Sequence, residues 1–255
     1  MRSISRIAVA SLMAALVAGA FGCRDDLPGK PNPEDRPQTP AEITDFGVLF
    51  ARNCSGCHGA DGTLGPAPPL NDPLFLAIVP DEVLHDVVTR GRPGTPMPAF
   101  SRRLAGALTD EQIEIVAAGL KRQWKDDPRP PAELPSYAIT KSDAPPVAAA
   151  IERGEQTFAQ ACALCHGENG EGAGEGESPG RINDPVLLTL FSDQVLRRII
   201  ITGRPDLGMP NFAGTDGRDS DFKPLTNEQI DDLVALFAHW RSSAPKVASA
   251  ATPRQ

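Results

Sequence analysis

The chain has 255 residues, 40% of them hydrophobic, and sets 25 Lys and Arg against 33 Asp and Glu for a formal charge of −8. An acidic surface of that kind excludes nucleic acid as a partner, because phosphate backbones are held by basic faces. Only the N-terminal segment holds a long apolar run, so the body after it is expected to be water-soluble rather than a membrane bundle.

Residues 1–22 have the anatomy of a signal peptide. Arg2 and Arg6 give a positive start, residues 7–20 an apolar core, and residues 18–22 a mostly small-residue end. Cys23 then follows Gly22, as in a bacterial lipobox, where the cysteine becomes the lipid-modified N-terminus. Ordinary cleavage, or an uncleaved signal acting as an anchor, are the alternatives. All three place the chain outside the cytoplasm, on the periplasmic side of a bacterial membrane, with membrane contact through a lipid on Cys23 or through the signal itself. Without Arg2 and Arg6 the formal balance falls to −10. Residues 23–40 carry Pro28, Pro31, Pro33, Pro37 and Pro40 without hydrophobic periodicity and read as an extended tether.

Ile43, Phe46, Leu49 and Phe50 recur at helical spacing and lead into Cys54-Ser55-Gly56-Cys57-His58. The same arrangement returns 108 residues later as Cys162-Ala163-Leu164-Cys165-His166. Two thiols separated by two residues can each add to one vinyl group of a single porphyrin, and the next histidine then lies under the iron as an axial ligand. A zinc site built from both Cys pairs, or a redox dithiol, shares the bare Cys-x-x-Cys spacing. The histidine after each pair, with the export signal, favours two covalently held haem c groups instead. Of five cysteines, four are then used as thioethers and the fifth is Cys23, which leaves no thiolate for catalysis or iron ligation.

The whole unit around each motif is duplicated. Asn71-Asp72-Pro73, Asp81, Gly91-Arg92-Pro93, Met97-Pro98, Leu108-Thr109 and Trp124 return as Asn183-Asp184-Pro185, Asp193, Gly203-Arg204-Pro205, Met209-Pro210, Leu225-Thr226 and Trp240. Helices are expected over 81–89 and 193–202, and after the capping boxes Thr109-Asp110-Glu111-Gln112 and Thr226-Asn227-Glu228-Gln229. No strand pattern occurs, so the expected fold is all-α, two tandem helical domains around covalent haem: domain 1 over 41–126 and domain 2 over 147–244. Between them lies a proline-rich linker, 127–146, in which Leu134, Tyr137 and Ile139 suggest packing along the domains; 245–255 is expected to be a disordered tail. Met97 and Met209 are the only methionines beyond the signal and sit in matching Gly-Arg-Pro-x-x-x-Met-Pro loops. A thioether is a soft neutral donor that favours ferrous iron, so both are candidate iron ligands with His58 and His166. His85 and His239 lack matching partners in the repeat and read as surface residues.

Each half resembles a class I cytochrome c. In that family an N-terminal helix ends in Cys-x-x-Cys-His, a loop brings the distal Met, and a C-terminal helix crosses the first. The resemblance covers roughly 43–125 and 151–241. It implies a glycine four residues before the motif's aromatic, where the terminal helices touch; Gly154 fits, whereas the first copy has Phe46 there and Gly47 one step later. It also implies a proline carbonyl on the proximal imidazole, for which Pro66, Pro68, Pro69 and Pro179 are candidates. Arg92 and Arg204 pair with haem propionates or are solvated. The Gly-Arg…Met-Pro style is similar to haem-c subunits of copper–haem terminal oxidases and to small dihaem carriers.

The expected function is an extracytoplasmic one-electron relay through two His/Met haem c centres, an electron carrier rather than an enzyme. Its partners would be a membrane donor and an oxidase or reductase acceptor, with no small-molecule substrate. One alternative is a peroxidase or sulfur-compound dehydrogenase, which needs an open or unusual axial position. The other is a fixed haem-c subunit of a terminal oxidase complex.

Overall fold

The computed structural model describes residues 37–124, 134–139, 147–172, 179–214 and 221–242. The signal segment, Cys23, most of the tether, the tail, parts of the linker, and residues 173–178 and 215–220 lie outside them. Residues 37–42 belong to a separate unit, and in them Thr39 donates to Glu42 across the 3-10 turn Pro40–Glu42. From Ile43 onward both halves belong to one compact unit. Every regular element among the described residues is helical, with isolated bridges only at Ser101–Leu108 and Arg204–Met209.

The first half runs α1 (Phe46–Asn53), α2 (Ser55–His58), α3 (Pro73–Ile78), α4 (Asp81–Arg90) and α5 (Asp110–Trp124). The second repeats it as α6 (Ala148–Ala161), α7 (Ala163–His166), α8 (Pro185–Leu190), α9 (Asp193–Thr202) and α10 (Asn227–Ser242). Helix α1 starts later than the apolar pattern suggests, because Asp45 accepts the Val48 N–H at 2.8 Å and caps it; Ile43 stays outside the helix and is still buried. Both capping boxes close reciprocally: Thr109 N–H donates to Gln112 at 3.0 Å and Gln112 N–H to Thr109 at 3.2 Å, with the same two distances at Thr226 and Gln229.

Helices α3 and α8 are absent from the sequence-based expectation, although their signal is the repeated Asn-Asp-Pro. Asp72 accepts from Phe75 N–H at 3.0 Å and Asp184 from Leu187 N–H at 2.9 Å, with proline in the first turn where no N–H is needed. The preceding Asn71 and Asn183 amides donate back to the carbonyls of Asp61 and Asn169, at 3.1 and 2.9 Å, and tie each helix to the loop after its Cys-x-x-Cys-His motif.

The terminal helices of each half cross closely, and the two copies achieve this with the small residue on opposite helices. In the second half a methyl on Gly154 of α6 would stand 2.4 Å from the Asp232 carbonyl oxygen and 3.0 Å from Leu236 of α10. In the first half the place of Gly154 is taken by Phe46, and its ring lies where a methyl on Gly119 of α5 would be, 2.1 Å away. Gly119 and Leu236 are the equivalent residues of the two C-terminal helices, so a large–small pair has been exchanged for a small–large one. Gly47 plays no part, since its Cβ position meets only Asp45. Above each crossing an edge-on aromatic pair is kept, Phe50 with Trp124 at 5.0 Å and Phe158 with Trp240 at 5.2 Å.

The linker segment 134–139 joins the halves. Tyr137 is buried in the first core beside Phe75, while Leu134 and Ile139 pack on the second. Arg197, almost wholly buried, clamps it to the second half through the Ser136 carbonyl at 2.9 Å, Asn227 at 2.5 Å and Asp231 at 2.5 Å.

The crossings generate a stability prediction. Alanine gains about 1 kcal/mol over glycine as a helix former, but at Gly154 the methyl meets a backbone carbonyl that cannot rotate away. Gly154→Ala is therefore expected to destabilise by about 1–3 kcal/mol net, and Gly119→Ala by less, because the Phe46 ring can shift. Urea denaturation of the haem-loaded chain measures both; equal losses at the two positions would contradict the exchange.

Candidate functional site

Cys54, Cys57, His58 and Met97 line one cavity of about 320 Å³ in the first half. The chain reaches it by ending α1 at Asn53, breaking at Cys54 with φ −120°, and re-entering one helical turn, α2, that places the second thiol and the imidazole. His58 Nδ1 lies 2.9 Å from the Pro68 carbonyl oxygen. A carbonyl can only accept, so Nδ1 carries the proton and Nε2 keeps its lone pair. Burial, the largest influence, lowers the pKa of His58, against the Pro68 bond and with Arg198 and Arg92 acting in the same direction as burial. The neutral ligand form is thereby favoured. Of the candidate prolines, Pro68 is the one that meets the ring.

Met97 is placed by a closed loop. Helix α4 ends at Gly91, whose φ of +67° and approach to the Pro98 carbonyl (2.4 Å from a Cβ there) admit no side chain. Arg92 N–H then donates to the Met97 carbonyl at 3.0 Å, and Thr95 receives the Met97 N–H at 3.3 Å. Gly203 repeats this with φ +69°, and Arg204 and Met209 exchange both backbone bonds at 2.9 Å.

The second cavity, smaller, is lined by Cys162, His166 and Met209, with Cys165 exposed and outside the lining. His166 is shifted down chiefly by burial, opposed by the Gly180 carbonyl. That carbonyl is the neighbour, yet Nδ1 is buried without a formed hydrogen bond. Paired backbone bonds fix the register: Leu70 and Asn71 bond to Gly62 as Ile182 and Asn183 bond to Gly170. Gly180 therefore corresponds to Pro68, and the expectation of Pro179 is corrected by one residue. A carbonyl is backbone, so the function passes to whichever residue holds that register. Burial also pushes the inner thiols up, Cys54 to about 11 and Cys162 to about 12, each with a smaller contribution from its partner cysteine. Both stay protonated at neutral pH.

The donor sets fit haem c. Each half supplies a Cys-x-x-Cys pair on one turn, an imidazole shifted toward its neutral form and a thioether beside a mostly apolar cavity. Cys54, Cys57, His58 and Met97 would hold the first haem, and Cys162, Cys165, His166 and Met209 the second.

Sequence reasoning missed that the first cavity is completed by the second half. Leu190, Phe191, Val195 and Arg198 all line it, and Phe191 lines both cavities. The available signal was a break in the repeat, since Phe191 stands where the first copy has Val79 and Arg198 where it has Asp86. Neither repeated arginine is a free surface group: Arg92 donates to the Tyr137 hydroxyl at 3.2 Å, and buried Arg204 pairs with Asp206 at 2.9 Å and donates to the Gly65 carbonyl at 3.3 Å. His85 is exposed, 3.8 Å from Glu114, and His239 is exposed; neither lines a cavity.

The family model described as cytochrome C oxidase, cbb3-type, subunit III matches residues 41–118 and 149–235. A Cbb3-type cytochrome c oxidase subunit CcoP of Rubrivivax gelatinosus is 33% identical over 189 residues, covering 73% of this chain and 51% of the relative. The subunit CcoP of Rhodobacter capsulatus is 29% identical over 197 residues, covering 75% and 60%. The chain thus spans about half the length of the curated relatives it matches. Among solved structures, a chain of the Kuenenia stuttgartiensis reducing HAO-like protein complex aligns with 80% of this chain and 99% of that one, at 20% identity and a TM-score of 0.47.

The thiol pairs generate a count. Intact mass of the wild-type chain is expected to include two haems, and Cys54→Ala with Cys57→Ala to leave one. Two haems on that double variant would contradict the assignment.

Proposed function

Because the chain belongs to the family of cytochrome c oxidase, cbb3-type, subunit III, we propose that it is the electron-delivering haem-c subunit of a cbb3-type terminal oxidase complex. It is a tandem, all-α c-type cytochrome with two haem c groups, one per half, and it passes electrons. The observation that carries the finer reading is the family match over both halves, supported by relatives that are themselves named as subunits of such an oxidase. That favours a fixed subunit over the freely acting relay expected from sequence.

Each haem c, when bound, supplies one iron that gains and loses a single electron. The protein's residues do the rest. Cys54 and Cys57, and Cys162 and Cys165, would hold each ring in place through thioethers. His58 and His166 would offer Nε2 and Met97 and Met209 would offer sulfur to the iron, a donor set that suits electron transfer rather than substrate binding. The His58 Nδ1–H bond to Pro68 holds the imidazole plane and raises its basicity. Leu84, Val88, Leu120 and their neighbours keep water from the first cavity, and lower polarity favours the less charged ferrous state. Phe191, as a wall of both cavities, makes the two sites contiguous, which suits transfer from one half to the other inside the chain. In this reading the cytochrome halves stand on the extracytoplasmic side of a membrane, receive electrons from an upstream donor and hand them to the oxygen-reducing subunits. Catalysis belongs to those subunits and not to this one.

Two measurements test the reading. A tagged chain, solubilised from membranes of its own host, is expected to co-purify with a copper–haem oxygen reductase; a chain that purifies alone, with oxygen uptake unaffected by its deletion, overturns the subunit assignment. Met97→Ala and Met209→Ala are each expected to remove the long-wavelength Met–iron band of one ferric haem while both haems stay attached. Unchanged spectra would overturn the ligand set.

A further inference from the structure

The first cavity contains a cation that the axial chemistry does not use. Arg198 lies on α9 of the second half, is 5% exposed, and lines the cavity of the first half. Its Nη2 donates to the Pro69 carbonyl, and its guanidinium carbon stacks 3.4 Å from the centre of the Phe75 ring. Its Nε is buried with no hydrogen-bond partner. Burial pushes the guanidinium down to about 10, which leaves it charged at neutral pH.

No carboxylate among the described residues forms an ion pair with it. Asp72 is the nearest in electrostatic influence, but one of its oxygens caps α3 and the other is buried without a partner. Arg92 and Arg204 add like charge around it, and the carboxylate of Asp206 is engaged by Arg204. A buried cation with cationic neighbours and no ion-paired carboxylate gains from an anion brought into the cavity. The fold does not demand an arginine here. The equivalent residue of the first copy, Asp86, is exposed and pairs with Arg90 at 2.6 Å.

We infer that Arg198 is a cofactor-positioning residue whose guanidinium, where it lines the first cavity, receives a propionate of the first half's haem across the boundary between the halves. The anion it lacks is one the cofactor brings, since haem c carries two carboxylates, and a guanidinium is suited to a planar carboxylate. Arg92, hydrogen-bonded to Tyr137 on the same cavity wall, extends the cationic side of the pocket. The inference rests on reading the first cavity as a haem site. Its consequence is that the first haem is held by both halves, so its potential depends on the second.

The test uses the full haem-loaded chain in a spectroscopic redox titration of wild type, Arg198→Gln and Arg198→Lys. The first-half haem is identified as the one whose ferric spectrum changes in Met97→Ala. Removing a cation from beside a carboxylate disfavours the ferrous state, so Arg198→Gln is expected to lower the potential of that haem alone, and Arg198→Lys to recover part of the shift. Equal potentials in wild type and Arg198→Gln, with two haems in the mass of each, overturn the inference and leave the haem reading intact. A wild-type chain lacking haem on Cys54 and Cys57 overturns the haem reading itself. A crystal structure of the wild-type holoprotein gives a check that needs no variant: a propionate oxygen within hydrogen-bond distance of the Arg198 guanidinium supports the inference, and both propionates elsewhere overturn it.

Discussion

In each half, the helix that ends at the haem-binding turn leans on the C-terminal helix, and the depth of that contact governs where the thiols and the imidazole stand. Two helix axes come this close only where one backbone presents no side chain. The second half uses Gly154 against the Asp232 carbonyl, and the first uses Gly119 against the Phe46 ring. The exchange preserves the crossing because packing responds to summed volume at a contact and not to which helix supplies it. The aromatic pairs above the crossings, Phe50–Trp124 and Phe158–Trp240, keep nearly the same spacing in both copies. The short turns α2 and α7 therefore begin from equivalent platforms.

From those platforms the two sites diverge in how tightly the proximal ring is held. The loop after the first motif is proline-rich and its Pro68 carbonyl reaches His58 at 2.9 Å. The corresponding Gly180 stands near His166, whose Nδ1 nonetheless lacks a formed bond. Proline restricts the backbone at position 68, whereas glycine leaves it free at position 180. One motif has thus been set beside two different carbonyl neighbours, a physical basis for two haems of unequal character within one chain.

Duplication also gave the molecule an internal boundary, and divergence of α9 made that boundary part of a site. His85 and Asp86 of the first copy face solvent; their equivalents, Arg197 and Arg198, are buried. Arg197 fastens the linker to the second half, and Arg198 enters the first cavity. Arg204 and Asp206 add a second contact, reaching Gly65 and Leu64 in the loop after the first motif. The halves are consequently not two independent carriers on a string. The geometry around the first site is set partly by residues more than a hundred positions away in sequence, and Phe191 forms a wall common to both sites.

The sequence by itself determined the class of fold and supplied the candidate residues of each site. Two Cys-x-x-Cys-His motifs, matched methionines in Gly-Arg-Pro loops, and capping boxes before apolar stripes act over a few residues, so their consequences can be read locally. Helix boundaries failed only where a cap outranked periodicity, as Asp45 did at α1, or where a short capped helix left no full period, as in α3 and α8. Tertiary structure alone decided which carbonyl meets each histidine, which helix carries the small residue at each crossing, and that the second half closes the first cavity. Those outcomes depend on loop register and on volumes contributed by distant segments, of which the chain shows only indirect traces, such as Gly154 and the break in the repeat at Phe191 and Arg198.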